Sequence, residues 1–578
     1  MQKNKFYITT PIYYVTAKPH LGTLYSTIMA DVVARWNRLK GNDTFFLTGT
    51  DEHGQKIEQA AAQAGKAPKA FVDSFIDAYK DMWKKYECDY NGFIRTTDTY
   101  HVNAVQQWLK DLIAKGDIYK DHYAGWYCTP CETYLTDADL AKEGQEHPCP
   151  SCSRATKYVS EESYFFKLSS YQEKLLDFYK NNPDFIVPKE RFNEVIRFVE
   201  GGLKDLSVSR TTIKWGIPFP GDAAHVTYVW ADALNNYITA VGYGDSKRAQ
   251  EFSYWWPADL HVMGKDIVRF HAVYWPAFLM ASGLPLPKQL LVHGWIQVDG
   301  KKMSKSLGNV VDPEELYTAY GPEPVRYYLM RQIPINQDGN FTYQDFQQHI
   351  AADLANDLGN LLNRMVALAL KYDAQKIAAP ACWSDEAQKL HEKAQKVAHE
   401  YAEHMEKYQF HTALSRLWQF IGEVNTYFHA QEPWNVAKSN PEQFKEIIAA
   451  TSNSLRMIAT MLWPIMPTKM KSLLAQLGQS LNLGIDSVAH VTNDQWNHAF
   501  NLAHGDILFI KPEPKEEIME KREEKNQEPQ NIITIDDLMK VELRVGTIKE
   551  CALVEKSDKL YRMQIDFGAF GLRQIFAG

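Results

Sequence analysis

The stretch FYITTPIYYVTAKPHLGTLYSTIMADVVARW, residues 6–36, decides the fold. Phe6–Val15 is dense in β-branched and aromatic residues and reads as a first strand. Pro19 then punctuates the chain, and the apolar spacing behind it predicts a helix over Leu21–Leu39. Strand, loop, helix is the unit of parallel α/β sheets, whose ligands gather at the carboxyl ends of the strands. His20 and Gly22, at the start of that helix, are candidates for holding phosphate. The glycine permits close backbone approach, and a helix N-terminus favours anions. The alternative is an ordinary turn.

The rest of the first half repeats this pattern. DTFFLTG, HVTYVWADA, DLHVMG and KQLLVHGWIQV read as further strands, and helices are predicted over Gln55–Ala64 and Pro68–Tyr86. The alternation breaks between about Tyr119 and Pro220, an insertion between two halves of a nucleotide-binding fold. From about Tyr343 to Ile507 the pattern turns helical. Leu354, Leu358, Leu361, Leu362, Met365 and Leu368 share one arc of a 3.6-residue helix, and helices near Asp385–Lys407, His411–His429 and Pro441–Met461 predict a bundle. KPEPKEEIMEKREEKNQEPQ (511–530) has little to bury and reads as a linker. Short strands return after it.

With 578 residues the chain exceeds one hydrophobic core, and length alone predicts roughly four domains. Its 45% hydrophobic and 23% charged content is that of a globular protein. A formal charge of −8 does not mark the whole chain as a nucleic-acid binder, although a local basic patch fits within it. The basic Met1–Lys5 runs straight into a strand carrying threonines and a proline, which is not a signal peptide. The most apolar run, AVYWPAFLMASGLPL, is broken by Pro276 and is too short to span a bilayer. Seven cysteines are too few for a disulfide scaffold. A cytoplasmic protein with no membrane association is expected.

Four of those cysteines are arranged with purpose. Cys128-x-x-Cys131 and Cys149-x-x-Cys152 stand 17 residues apart, and two such pairs can surround a tetrahedral zinc. Sulfur at all four positions leaves no open coordination site, so one structural Zn2+ is expected. The alternative is four free or disulfide-bonded thiols. Further on, DGKKMSKSLGN (299–309) places Lys302 and Lys305 around Ser304 in a loop closed by Gly308. Lysines there can gather around a polyphosphate and offset charge developing on a leaving group.

On these residues the chain resembles the class I aminoacyl-tRNA synthetases, with HLGT in place of their His-Ile-Gly-His signature and KMSKS intact. More narrowly it resembles the bacterial methionyl-tRNA synthetases over essentially its whole length. ITTPIYYVTAKPHLG, FFLTGTDEHGQKI, the cysteine knuckle, YVWADALNNYI, HVMGKDIVRFHAVYWPA and VHGWIQVDGKKMSKSLGN carry the match. The resemblance implies an α/β Rossmann-type parallel-sheet catalytic domain with an inserted zinc-knuckle domain, an α-helical anticodon-binding bundle and a partial OB-fold. The expected boundaries are 1–118 and 221–298 for the catalytic halves, 119–220 for the insertion and 299–345 for the lysine loop and stem-contact region. The bundle takes 346–507, the linker 508–531 and the tRNA-binding OB-fold 532–578.

The same resemblance implies site roles. His20, Gly22, Thr23, Lys302 and Lys305 form the catalytic set, with Thr23 where the family carries its second histidine. ATP, accompanied by Mg2+, is held by His20, Gly22, Gly264, Asp266, Trp295, Ile296, Lys302, Ser304 and Lys305. Methionine is held by Ile12, Tyr14, Asp51, Trp230, Ala233, Leu234, Tyr237, Ile267, His271 and Trp275. A soft, apolar thioether suits such walls, and its ammonium needs a carboxylate. Asp51 is expected to open a helix after TFFLTG; on its own it would read as a helix cap, and Trp230 and Tyr237 as core. Asp51-Glu52-His53 as a metal triad is a minor alternative. Asn360 and Arg364, four apart and off the leucine arc, should be exposed and contact the anticodon, with Trp434 stacking on a base. The bland readings are a solvated face and a packed indole.

The expected reaction is methionine + ATP + tRNA → methionyl-tRNA + AMP + pyrophosphate, with methionine tRNA as partner. Relatives dimerise through the C-terminal domain. Here the chain stops at RQIFAG, short of a five-stranded barrel, so a C-terminally truncated protein with doubtful dimerisation is expected. Two rivals stay open: a synthetase for isoleucine, valine, leucine or cysteine, and a catalytically silent tRNA-binding protein on the same scaffold.

Overall fold

The computed structural model describes residues 4–128, 133–135, 147–149, 154–302, 310–512, 545–554 and 560–577. Two compact units divide the chain, residues 1–512 and residues 513–578.

The first unit is organised by a parallel sheet. Its strands are β1 (Lys5–Thr9), β2 (Tyr13–Tyr14), β3 (Asp43–Asp51), β4 (Gly92–Arg95), β5 (Ile186–Val187), β6 (Leu260–Gly264) and β7 (Leu290–His293). They lie in the order β2-β3-β1-β6-β7-β5, with β4 also paired to β3. All pairings are parallel, and the central register sets Ile8 against Phe46 on one side and Leu260 on the other. These strands are buried on both faces, as their continuous apolar runs require. From β1 the chain passes to β3 on one flank and only later to β6 on the other. The crevice beyond the carboxyl end of β1 is therefore the topological switch point, where open α/β sheets bind ligands.

Helix α1 (Leu21–Leu39) has the limits the sequence predicts, and α2 (Gln55–Gln63) and α3 (Pro68–Lys85) end one residue early. Two expected strands differ. HVTYVWADA forms only the two-residue strand Val226–Thr227, then turns into helix α5 (Val229–Ala233), following α4 (Thr99–Lys115). Tyr228 carbonyl accepts the N–H groups of Ala231 and Asp232, closing a helical turn just past the short pairing of Val226–Thr227 with Ser209–Arg210 and the bridge to Pro218. KQLLVHGWIQV splits at Gly294. Leu290–His293 stays in the main sheet, while Ile296–Val298 joins Lys301–Lys302 and Gly339–Phe341. A Cβ on Gly294 would lie 2.1 Å from the Gln337 carbonyl oxygen, so only glycine lets the chain pass there.

The insertion carries an antiparallel sheet in which Ile118–Cys128 pairs with both Thr133–Tyr134 and Lys157–Phe166, and the latter with Leu206–Ser207. The helical half includes Asp385–Glu406, Phe410–Ala430 and Pro441–Leu462, close to the predicted limits. Its leucine arc runs first through a π-helical stretch, Ile350–Gly359, then through α-helix Asn360–Lys371. Leu354, Leu358, Leu361, Leu362 and Met365 stay buried, and Leu368 is half-buried. Among the described residues no helix is long and apolar enough to cross a membrane. In the second unit, Thr547–Leu553, Tyr561–Asp566 and Leu572–Ala577 form an antiparallel meander. The linker lies mostly outside the described residues.

Candidate active site

His20 is the N-cap of α1, and its own ring does the capping. Nδ1 accepts the backbone N–H groups of Gly22 (3.1 Å) and Thr23 (3.3 Å). A nitrogen that accepts two N–H groups carries no proton, so the proton of the neutral ring sits on Nε2, which makes no hydrogen bond among the described residues. Desolvation holds the His20 pKa below its ordinary value, opposed by the charge of Asp266. The helix N-terminus is thus capped by an imidazole whose Nε2–H is left as a donor. Thr23 is 7% exposed, and its hydroxyl oxygen receives the His20 N–H over a long 3.5 Å.

Asp266 follows Gly264 at the end of β6. Its charge bears on His20, His271 and His293 alike, opposing the desolvation that lowers the pKa of each. Trp295 indole Nε1–H approaches Asp266 at 3.4 Å. Trp295 is fixed by its main chain, its N–H donating to Asp338 (2.9 Å) and its carbonyl accepting from Gly339 (2.8 Å). Lys265 pairs with Asp338 at 2.7 Å and lies 4.1 Å from the Trp295 ring centroid. The next strand begins at Ile296, buried at 4%. Buried His293 ties β7 to α1: Nδ1–H donates to the Gly294 carbonyl and Nε2 meets Ser26 hydroxyl, both at 2.7 Å. Sequence reasoning missed Ser26, Lys265, His293 and Asp338. Polar residues flanking the strand end LLVH were the available signal for His293 alone.

The neighbouring pocket is walled by rings. His271 lies in a π-helical turn, Phe270–Tyr274, that runs into helix α6 (Trp275–Ser282). Such local widening recurs at functional sites. Its Nδ1–H donates to Ile267 carbonyl (3.0 Å), so Nε2 accepts from Tyr237 hydroxyl (2.7 Å). Burial lowers its pKa to about 4. Trp230 stacks on Phe270, with centroids 3.8 Å apart. Ile12, Tyr14, Trp230 and Ile267 are half-buried against the core that contains Leu234, Tyr237 and Trp275, and Ala233 is buried beside them in sequence.

Asp51 is the last residue of β3, not the first of a helix: α2 starts at Gln55, with Gly54 at its cap. The strand runs on because Thr50 and Asp51 are still paired to Tyr13 and Tyr14. Asp51 is 5% exposed, and its charge, after burial, helps push the Tyr237 phenol pKa up. Glu52 and His53 are committed to Arg95 and Asp232, so the triad is not gathered on a metal.

The remaining candidates lie elsewhere. Asn360 and Arg364 are exposed, with the Arg364 guanidinium 5.6 Å from the Phe428 ring. Trp434 is half-buried against His429 (5.4 Å). Cys128 and Cys149 are buried. Cys128 pairs in register with Thr133, and Cys149 N–H donates to Arg154 carbonyl (2.9 Å). The Trp126 and His147 ring centroids lie 4.9 Å apart, so the segments just before Cys128 and Cys149 are in contact. Buried thiols at Cys128 and Cys149, on neighbouring segments, fit zinc ligation. Cys131, Cys152, Ser304 and Lys305 lie outside the described residues, as does the Lys302 side chain. Among the described residues, Glu162, Asp222 and His225 approach closely enough for a metal, but Lys120 already sits between the two carboxylates at 2.6 and 2.8 Å.

Residues 6–366 match the family model of class I tRNA synthetases (M), and residues 377–526 match the anticodon binding domain of methionyl tRNA ligase. The parallel sheet, the histidine-capped helix at its switch point and the helical half are those of a class I tRNA synthetase. The Methionine--tRNA ligase of Thermotoga maritima is 44% identical over 99% of this chain and 90% of its own length. That of Helicobacter pylori is 42% identical over 100% and 91%. The structure of Mycobacterium tuberculosis methionyl-tRNA synthetase in complex with methionyl-adenylate matches with TM-score 0.83 at 38% identity, covering 88% of this chain and 99% of that one. Its apo form matches at 0.78 and 36%. The chain belongs to the methionine--tRNA ligase family.

Proposed function

We infer that the chain ligates L-methionine to methionine tRNA in two steps. Methionine carboxylate attacks the α-phosphate of ATP, pyrophosphate leaves, and the terminal adenosine hydroxyl of the tRNA then takes the acyl group as AMP departs. One observation supports the site assignment: buried Asp51 ends β3 and Asp266 follows the end of β6, both at the carboxyl end of the sheet, and the charge of Asp266 is felt by His20, which caps α1, and by His271, which is hydrogen-bonded to Tyr237.

In this reading Asp51 holds the methionine ammonium, and the Trp230, Tyr237, Ile267, His271 and Trp275 walls hold the thioether. Ile12, Tyr14, Ala233 and Leu234 complete that pocket. His20 Nε2–H donates to phosphate. Gly264 and Asp266 meet the ribose, and the Gly294–Ile296 backbone meets the adenine. Lys302, Ser304 and Lys305 close over the triphosphate, with Mg2+ supplying charge neutralisation to it. No side chain is placed as nucleophile or general base, so the rate rests on alignment and charge stabilisation. Asn360, Arg364 and Trp434 read the anticodon. Cys128, Cys131, Cys149 and Cys152 hold one structural zinc. The low cysteine count favours a reducing, cytoplasmic setting. A homodimer is not part of this reading.

Methionine-dependent ATP–pyrophosphate exchange tests the activity: signal with methionine alone supports it, and no signal with any amino acid overturns it. In single-turnover experiments Lys305→Ala slows adenylate formation by about 100-fold or more while methionine binding changes little. Unchanged activation would remove the lysine loop from the mechanism. Metal analysis should return one zinc per chain, lost on Cys128→Ser.

A further inference from the structure

Three consecutive residues at the end of β3 make three different commitments. Asp51 is buried, and its charge, after desolvation, helps raise the Tyr237 phenol pKa. Glu52, fully buried, takes a two-pronged ion pair from Arg95 (2.7 and 2.9 Å) and hydroxyl donors from Thr50 and Thr97. His53 donates Nδ1–H to Asp232 Oδ2 at 2.7 Å. Asp232 is 1% exposed and sits in the five-residue helix α5, between Trp230 and Ala233. Its other oxygen accepts from His101 Nε2 at 2.7 Å, and His101 Nδ1 meets Thr239 hydroxyl at the same distance. Burial alone would raise the Asp232 pKa, but His53 and His101 hold it below the usual carboxylate range, so it stays an anion.

A buried carboxylate held by imidazoles is a poor device for stability, because its desolvation offsets most of the attraction. What it supplies is registry. Helix α5 is far too short to persist without tertiary contacts. The strand end has no ladder beyond Asp51; besides the Glu52 carboxylate it is held by Glu52 N–H to Thr96 hydroxyl (2.9 Å), the Trp215 indole to Glu52 carbonyl (2.6 Å) and Gly54 N–H to Trp215 carbonyl (3.1 Å), contacts to other segments and none to the helix. The His53–Asp232 contact joins the strand end to the helix across the pocket.

We propose that Asp232, acting through His53, is a positioning residue. It locks the strand end that presents Asp51 to the helix that presents Trp230 and Ala233, and so fixes the gap between the ammonium site and the thioether wall. The proposal rests on the methionine-pocket reading above.

The test is methionine-dependent pyrophosphate exchange, normalised to active sites by titration, on full chains carrying Asp232→Asn, His53→Gln, Asp51→Asn, and Asp51→Asn with Asp232→Asn. Asp232→Asn and His53→Gln are each expected to raise the methionine KM about tenfold, because sub-ångström misplacement is costly in an aligned site, while the ATP KM stays within about twofold. Residues that act through one another are not additive, so in the Asp51→Asn background Asp232→Asn should add less than about twofold. A fall in thermal midpoint and active fraction with an unchanged methionine KM per active site would make Asp232 merely structural, as would full multiplication of the two penalties. If Asp232→Asn does not fold, His53→Gln breaks the same contact from the other side and is judged by the same KM. If Asp51→Asn alone leaves the methionine KM unchanged, the pocket reading fails and the proposal with it. If Asp51→Asn raises it and neither partner variant does, only the positioning role fails.

Discussion

The side of the crevice proposed to hold the nucleotide and the side proposed to hold the amino acid each contain a histidine, and the two carry their protons on opposite nitrogens. His20 spends Nδ1 as an acceptor for the α1 N-terminus, which leaves Nε2–H as a donor. His271 gives Nδ1–H to Ile267 carbonyl, which leaves Nε2 as an acceptor for Tyr237. In each case the main chain sets the tautomer, and the tautomer suits the ligand the side is read to hold. A polyphosphate needs donors. A thioether pocket needs its polar atoms already paired, so that nothing in it competes with apolar contact.

The largest test separates the two tasks of His20. Asparagine is a good N-cap and keeps an acceptor near the Nδ1 position, but it has nothing at Nε2. His20→Asn should therefore slow adenylate formation by about 100- to 1,000-fold, the usual cost of one donor to a developing charge, with the thermal midpoint almost unchanged. A variant that instead lost stability and kept its activation rate would make His20 a cap and no more.

On the amino-acid side the comparison is sharpened by pH. The folded pKa of His271 is about 4 against an ordinary 6.5, so between those values the unfolded chain binds a proton that the folded one refuses. Stability linked to His271 is complete above about pH 6.5 and is lost as pH falls toward 4, up to about 3 kcal/mol. Urea denaturation of the parent and His271→Gln chains checks this. The difference between them should shrink or reverse on the acid side, and parallel pH profiles would remove His271 as the linked group. Next in size is Tyr237→Phe. It leaves His271 Nε2 buried without its donor, at about 1–3 kcal/mol of stability, and should raise the methionine KM more than the ATP KM. Equal changes in both constants would mean the pair does not belong to one side.

The sequence made the nucleotide side easier to read than the amino-acid side, for physical reasons. Helix α1 was legible because Pro19 and a 3.6-residue apolar period mark its start and course, and His20 stands at its cap. Asp51 was placed in the right loop but the wrong element, since nothing local says that β3 remains paired to Tyr13 and Tyr14. HVTYVWADA looked extended because its residues favour strands, and only the Tyr228 carbonyl bonds turn it into α5. Asp338 and Asp232 were invisible: their partners Trp295, His53 and His101 are 43, 179 and 131 residues away. The resemblance supplied the pocket residues without their hydrogen bonds, so it could name His271 but not its tautomer.

Thr23 should give the smallest effect, and the reason returns to the main chain. The position differs from the family signature, with Thr23 where the second histidine stands. In the structure the side chain is nearly buried, and its oxygen turns back to the His20 N–H at the limit of hydrogen bonding. The group His20 uses is the Thr23 backbone N–H, which every residue but proline supplies. Thr23→Val should therefore change the single-turnover activation rate by less than about threefold and cost at most about 1 kcal/mol through the weakened cap. A loss of tenfold or more would mean that the hydroxyl itself reaches the reacting phosphate, and the nucleotide side would then depend on a side chain where the geometry assigns the work to a peptide.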